Sequence, residues 1–119
     1  MVLVDTSIWV THFRQGNRRL EKLLLGGEVV SHPFVIGELA CGFIKNREEI
    51  LSLLQSLPMT PAIEIDEFLY FIERNKLMGM GIGFVDVHLL ASSQLSRILL
   101  WTSDKRLKSA ANALSLAYT

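Results

Sequence analysis

The sequence has little of what usually announces a specialised chemistry. A single cysteine, Cys41, among 119 residues rules out an internal disulfide and leaves no companion thiol for a zinc site, so a buried thiol is its expected role. The three histidines, His12, His32 and His88, share no metal-ligand spacing with one another or with Cys41, and packing is the role expected for them. Ser7, Ser103 and Cys41 lack the histidine and acid partners that nucleophilic catalysis requires. There is no excess of charge: 12 basic residues balance 12 acidic ones, so no global field points to nucleic acid. Half the residues are hydrophobic, yet the uncharged stretch Leu77 to Val85 is too short and glycine-rich to span a bilayer, so no membrane partner is expected. No basic segment precedes the apolar start and Asp5 interrupts it, which argues against a secretory signal and makes the cytoplasm the expected compartment. Repeats and low-complexity runs are absent, and 119 residues suit one domain spanning residues 1–119.

What is present alternates between strand-like and helix-like patterns, which predicts a parallel sheet flanked by helices. Strands are expected near Val2 to Val4, Glu28 to Ser31, Ala62 to Ile65, Ile98 to Trp101 and Leu114 to Tyr118. Helices are expected from Thr6 to about Arg14, Asn17 to Leu25, Pro33 to about Ile44, Arg47 to Leu54, Asp66 to before Gly79, Phe84 to about Leu95 and Lys105 to Ala113. Pro33 suits a first helical turn, Gly26-Gly27 suits a helix stop, and Asn46 suits a cap. Trp9 and Trp101 fall in apolar patterns and are expected in the core.

Four acids stand in apolar settings: Asp5 after Val2-Leu3-Val4, Glu38 between Ser31 and Ile44 where no other charge occurs, Asp86 between Gly83-Phe84-Val85 and Val87-His88-Leu89, and Asp104 after Leu99-Leu100-Trp101. A carboxylate in such a place costs several kcal/mol of desolvation unless donors or a cation compensate it. Each also has a plain structural role open to it. Asp5 and Asp104 can cap helices, and Asp104 has Lys105 and Arg106 beside it. Together, however, Asp5 and Asp104 lie beyond the carboxyl ends of parallel strands, where open α/β sheets place their ligands, and Asp86 and Glu38 can project into the same crevice. Clustered carboxylates suit a hard divalent cation. Basic residues gather after the first acid (Arg14, Arg18, Arg19, Lys22) and after the last (Lys105, Arg106, Lys108), either as solvated helix faces or as phosphate contacts at the rim of an acidic pocket.

The segments LVDTSIW, IGELACG, GFVDVHLLAS and LWTSDKRL resemble, in order and spacing over nearly the whole chain, the four signature segments of PIN-domain ribonucleases, and are most similar to those of VapC-type toxins of type II toxin-antitoxin pairs. The resemblance implies a PIN-like three-layer α/β/α sandwich with a central, mostly parallel sheet of four to five strands. It implies Asp5, Glu38, Asp86 and Asp104 as the catalytic acids, with Asp5 and Asp86 as direct ligands of Mg2+ or Mn2+ and Glu38 and Asp104 as secondary ones. Thr6, Ser7 and Thr102 become the hydroxyls that support them. The implied reaction is endonucleolytic hydrolysis of structured RNA, such as a tRNA or rRNA loop, by a metal-activated water. The implied partners are a cognate antitoxin and a second copy of the chain. Apolar faces around Leu39, Phe43, Phe68 and Phe71 are candidates for either. Many relatives carry a further acid at the position of Arg106, a departure that argues against a fully occupied second metal site.

Two other function classes compete. A catalytically weak or inactive PIN-like module would bind RNA or protein without cutting. A phospho-acceptor domain with a strand-end Asp commonly shows a second Asp two residues on, where this chain has Ser7.

Overall fold

The computed structural model describes residues 1–119. Ten elements follow one another: β1 (Val2–Val4), α1 (Thr6–Gln15), α2 (Arg18–Leu25), β2 (Val29–Val30), α3 (Pro33–Ala40), α4 (Arg47–Ser56), α5 (Ile65–Asn75), α6 (Phe84–Ser96), β3 (Leu99–Trp101) and α7 (Lys105–Ala113). The strands form one parallel sheet in the order β2-β1-β3, with Val2 opposite both Val29 and Leu99. Helices flank the sheet in an α/β/α arrangement. β1 is central and all three of its residues are buried, as an uninterrupted apolar strand covered on both faces must be. Leu3, Leu20, Leu89, Leu90, Leu100 and Leu107 are the largest apolar side chains sealed in this core. No helix is long and apolar enough to cross a membrane.

The sheet has three strands rather than four to five. Neither expected outer strand forms: one edge carries a single pairing ahead of the expected segment, the other a single pairing within it. Ser31 pairs with Met59, its N–H donating to the Pro58 carbonyl (2.8 Å) and its carbonyl accepting from Thr60 N–H (2.9 Å). Pro61 then has no N–H to extend the ladder, and Ile65 already opens α5, so the segment expected as a strand from Ala62 to Ile65 never pairs. At the other edge only Ala117 pairs, opposite Leu100, held by Leu100 N–H to Leu116 O (2.7 Å) and Tyr118 N–H to Leu100 O (2.9 Å).

Three local expectations also change. α3 ends at Ala40 rather than Ile44, because Arg47 reaches back to donate to the carbonyls of Ala40 and Gly42, satisfying helix-end acceptors that a longer helix would have used internally. Cys41, just past that end, is exposed rather than buried. Asn46 sits at the cap position of α4 but in the left-handed region (φ 56°), and its side chain caps nothing. Of the apolar residues offered as candidates for a partner surface, Leu39, Phe68 and Phe71 are core residues, and only Phe43 is exposed.

The histidines are structural, and two are unusually enclosed. His32 is fully buried at the cap of α3, where Nδ1 accepts from Phe34 N–H (3.0 Å) and Nε2 lies 3.1 Å from Ser92 Oγ. Ser92 donates its own proton to the Pro61 carbonyl (3.0 Å), so the Nε2 proton belongs to His32 and Nδ1 is bare. Burial, and secondly the nearby His88, lowers the His32 pKa to about 4. His88 lies among Phe34, Phe68 and Phe84, with ring centroids 4.5 to 4.7 Å away, and burial lowers its pKa as well.

Candidate active site

The sheet register brings the first and last acids together. Asp5 N–H donates to Trp101 O (2.9 Å), extending the β1–β3 ladder one residue past the strands, so Thr102 comes to lie beside Asp5. Thr102 Oγ1 donates to Asp5 Oδ2 at 2.8 Å, and Ser7 Oγ donates to the same oxygen at 2.8 Å. Both hydroxyl protons are thereby committed. The hydroxyl oxygens in turn accept main-chain amides, Ser103 N–H to Ser7 Oγ (3.1 Å) and Asp104 N–H to Thr102 Oγ1 (3.0 Å). The 3.4 Å approach of Ser7 Oγ to Thr102 Oγ1 therefore has no proton of its own and is a contact rather than a bond. Asp5 stands at the cap position of α1 without capping it: its side chain serves the hydroxyls instead. It is only 6 % exposed, and these two donors are what makes its burial tolerable.

Asp104 does cap its helix, accepting Leu107 N–H at Oδ1 (3.0 Å). Asp86, in the first turn of α6, accepts the Gly83 N–H at Oδ2 (3.2 Å). Glu38, late in α3, accepts from Thr6 Oγ1 at Oε1 (2.7 Å), which ties α3 to the start of α1. The desolvation expected of all four acids applies to Asp5, which is buried, and Asp86, which is half-buried; Glu38 and Asp104 are exposed. One pattern joins them. Each carboxylate gives one oxygen to the protein (Asp5 Oδ2, Glu38 Oε1, Asp86 Oδ2, Asp104 Oδ1) and keeps the other clear of protein donors.

Electrostatics shows that the four share a region. The Asp86 pKa is raised, first by burial and then by the negative charges of Asp5, Asp104 and Glu38, with only the Gly83 N–H acting the other way. No cationic side chain enters that balance. Asp5 and Asp104 stand at the cap positions of α1 and α7 and Asp86 in the first turn of α6, helix ends that favour negative charge.

The oxygen-only donor set fits a hard divalent cation such as Mg2+ or Mn2+. No group of three or more acid, His or Cys side chains stands close enough to hold an ion jointly. Mg2+ does not require one, because it takes roughly one or two carboxylates and completes its shell with water and substrate oxygens. The four acids bear on one another electrostatically, but no three of them form a ready-made cage.

Sequence reasoning offered Arg14 as a rim phosphate contact and Thr102 as a supporting hydroxyl, and missed Lys45, Gly83 and the way Thr102 joins two acids. Arg14 and Lys45 line a groove that runs to Thr6 and Glu38. Gly83, through its N–H, fixes the Asp86 carboxylate. The Thr102 hydroxyl is also a link between Asp5 and Asp104, which the Thr-Ser-Asp run after an apolar strand could have suggested. Thr102→Val keeps the side-chain volume but leaves a buried carboxylate short of a donor. The expected loss is about 2 kcal/mol, read as a lower urea midpoint at unchanged slope.

Residues 2–113 match the family model described as PIN domain. The chain is similar to Ribonuclease VapC32 of Mycobacterium tuberculosis, from strains CDC 1551 / Oshkosh and H37Rv, with 48% identity over 111 residues that cover 92% of this chain and 90% of the relative. Among solved structures it is similar to PAE2754 from Pyrobaculum aerophilum, with a TM-score of 0.65 and 16% identity over 92% of this chain and 83% of that one. FitAcB from Neisseria gonorrhoeae gives 0.64 and 20% over 94% of both chains. A structure of FitAB bound to a DNA fragment gives 0.63 and 17% over 94% of this chain and 91% of that one. These structural likenesses carry the fold.

Proposed function

Because this chain belongs to the PIN-domain family, in its VapC type, we propose that it is a metal-dependent endoribonuclease acting as the toxin of a toxin-antitoxin pair. The observation that carries the reading is Asp86: half-buried, pressed by three other carboxylates and countered by no cation, it is a carboxylate arranged for a partner that the polypeptide does not supply.

In this reading Asp5 and Asp86 hold Mg2+ or Mn2+ through their free oxygens. When bound, the ion supplies a lowered pKa for a coordinated water and neutralises charge on the scissile phosphate. Ser7 and Thr102 fix the Asp5 carboxylate by binding Oδ2, which leaves Oδ1 without a protein donor. Thr6 does the same for Glu38. Glu38 and Asp104 orient the attacking water or bind a second, weaker ion. The substrate is structured RNA cut at an exposed loop, such as one in tRNA or rRNA, where splayed bases leave the backbone accessible.

An antitoxin covers the acidic pocket and inserts a basic side chain among the carboxylates. A second copy of the chain covers the apolar patch of Ile65, Leu69, Tyr70 and Leu95, which is exposed on α5 and α6. Residues 1–119 act as one domain, in the cytoplasm.

The test is incubation of partner-free protein with a mixed pool of structured RNA. Cleavage with Mg2+ or Mn2+, abolished by chelator and restored by added Mn2+, is the expected result. Intact RNA with folded, metal-loaded protein favours the alternative, a PIN-like module that binds RNA or protein without cutting.

A further inference from the structure

Resting on the nuclease reading, we propose that Arg106 is a phosphate-binding residue of the site, holding an RNA backbone oxygen at its rim. Arg106 is the second residue of α7, two positions beyond Asp104. Its side chain runs from there onto the segment that leads into α6 and Asp86. A Cβ placed on Gly81 would lie 2.7 Å from Arg106 Nη1, 2.9 Å from Cδ and 3.2 Å from Cζ. Gly81 has φ +77° and no side chain, and both properties are used: the turn is left-handed, and the guanidinium occupies the space a side chain would fill. Arg106 therefore bridges the two elements that carry Asp104 and Asp86.

The guanidinium is placed but not engaged. Arg19 and Arg47 spend their N–H groups on main-chain carbonyls, whereas Arg106 donates to no protein acceptor and is exposed. It is also absent from the charges that act on Asp86, so it does not serve as the internal counter-ion of the acids. A planar fork of donors, held against glycine backbone at the edge of an acidic pocket, matches a phosphate oxygen pair. The physical need is plain. Four carboxylates repel an RNA backbone, and a fixed cation at the rim offsets that repulsion for the phosphate entering the site.

The experiment compares wild type with Arg106→Gln and Arg106→Lys, and with Lys22→Gln as a control for lost charge, since Lys22 lies with Arg18, Arg19, Glu21 and Leu25 on a surface that includes none of the four acids. Single-turnover cleavage of a structured RNA in Mn2+ is read beside calorimetric Mn2+ binding and the salt dependence of RNA binding in chelator. Arg106→Gln is expected to slow cleavage about 100-fold, with Arg106→Lys intermediate. Mn2+ affinity and stoichiometry stay as in wild type, and the slope of log affinity against log salt falls by about 0.7, the value for one phosphate contact on a single strand. Cleavage by Arg106→Gln within twofold of wild type overturns the proposal. So does a loss that excess Mn2+ repairs, because that places Arg106 in the service of the cation. If wild type itself cuts no RNA, the nuclease reading fails, and the salt slope of Arg106→Gln against Lys22→Gln still decides whether Arg106 touches phosphate.

Discussion

Asp86→Asn is expected to lower RNA cleavage by about 10^3-fold or more while leaving the metal-free protein at least as stable as wild type. The two effects have one origin. Burial, first, and the charges of Asp5, Asp104 and Glu38 raise the Asp86 pKa, so as pH falls the folded state takes up a proton there before the unfolded chain does. A carboxyl whose folded pKa is raised contributes stability at low pH that is lost as pH rises through the folded value. At neutral pH the metal-free wild type carries that cost. Asparagine is the same size and keeps an oxygen for the Gly83 N–H, but has no charge to desolvate or repel. Added Mn2+ is expected to raise the melting temperature of wild type, since it binds the folded state alone, and to move Asp86→Asn much less. Thermal melts with and without Mn2+, run beside the cleavage assay, check both halves. Cleavage by Asp86→Asn within tenfold of wild type would remove Asp86 from the reaction. A metal-free variant clearly less stable than wild type would remove the electrostatic argument.

Acidification is expected to cost the fold about 3 kcal/mol between pH 6.5 and about 4, through His32. Its folded pKa lies below the unfolded value, so the unfolded chain binds the extra proton first across that window. Stability is complete above pH 6.5, declines as pH falls, and the loss levels off below about 4. His88 shifts in the same direction and adds to the slope. Asp86 opposes it, because its raised pKa favours the folded state as pH falls; measuring in the Asp86→Asn background isolates the histidine part. Protonation at His32 would place a hydrogen on Nδ1 against the Phe34 N–H, inside a wall of Phe34, Ser92 and Pro61. His32→Asn keeps an acceptor for that amide, since asparagine is a favourable helix cap, and is expected to lower stability at neutral pH but flatten its pH dependence. Urea titrations from pH 4 to 7.5 give the comparison. An equal slope in His32→Asn would assign the acid sensitivity elsewhere.

The parts of the fold legible in the sequence are those set by local pattern. β1, β3 and α7 fall where apolar runs and the Ser103-Asp104 start place them, and α6 extends one residue past its expected end. The outer strands were not legible, because a stretch such as Ala62 to Ile65 reads as a strand by composition while Pro61 and the α5 start deny it neighbours to pair with. The end of α3 depended on Arg47, which lies in the following helix. In the site, the same acids that stand out against apolar neighbours in the sequence bear on one another in space. Their degree of burial was not legible. Glu38 lies in an apolar helix yet faces outward, because the neighbouring Gly37 and Glu38 form the strip of α3 left uncovered while Val35 and Leu39 enter the core. Arg106 was visible as one of several basic residues, and only its placement over Gly81 separates it from the others.

If the proposed metal is held here, the two hydrogen bonds on Asp5 Oδ2 would bear on ion selectivity. Asp5 Oδ2 accepts from both Ser7 and Thr102, which fills its two acceptor positions, so Asp5 would ligate an ion through Oδ1 alone, whereas the bound oxygens of Glu38, Asp86 and Asp104 accept one hydrogen bond each and keep a lone pair. Ca2+ reaches its roughly six to eight oxygens largely by taking carboxylates two-handed at 2.3–2.6 Å, whereas Mg2+ accepts single oxygens at about 2.0–2.1 Å and retains its water. On the proposed reading, Ser7 and Thr102 would thereby favour the smaller of two abundant ions of equal charge at Asp5 without binding either.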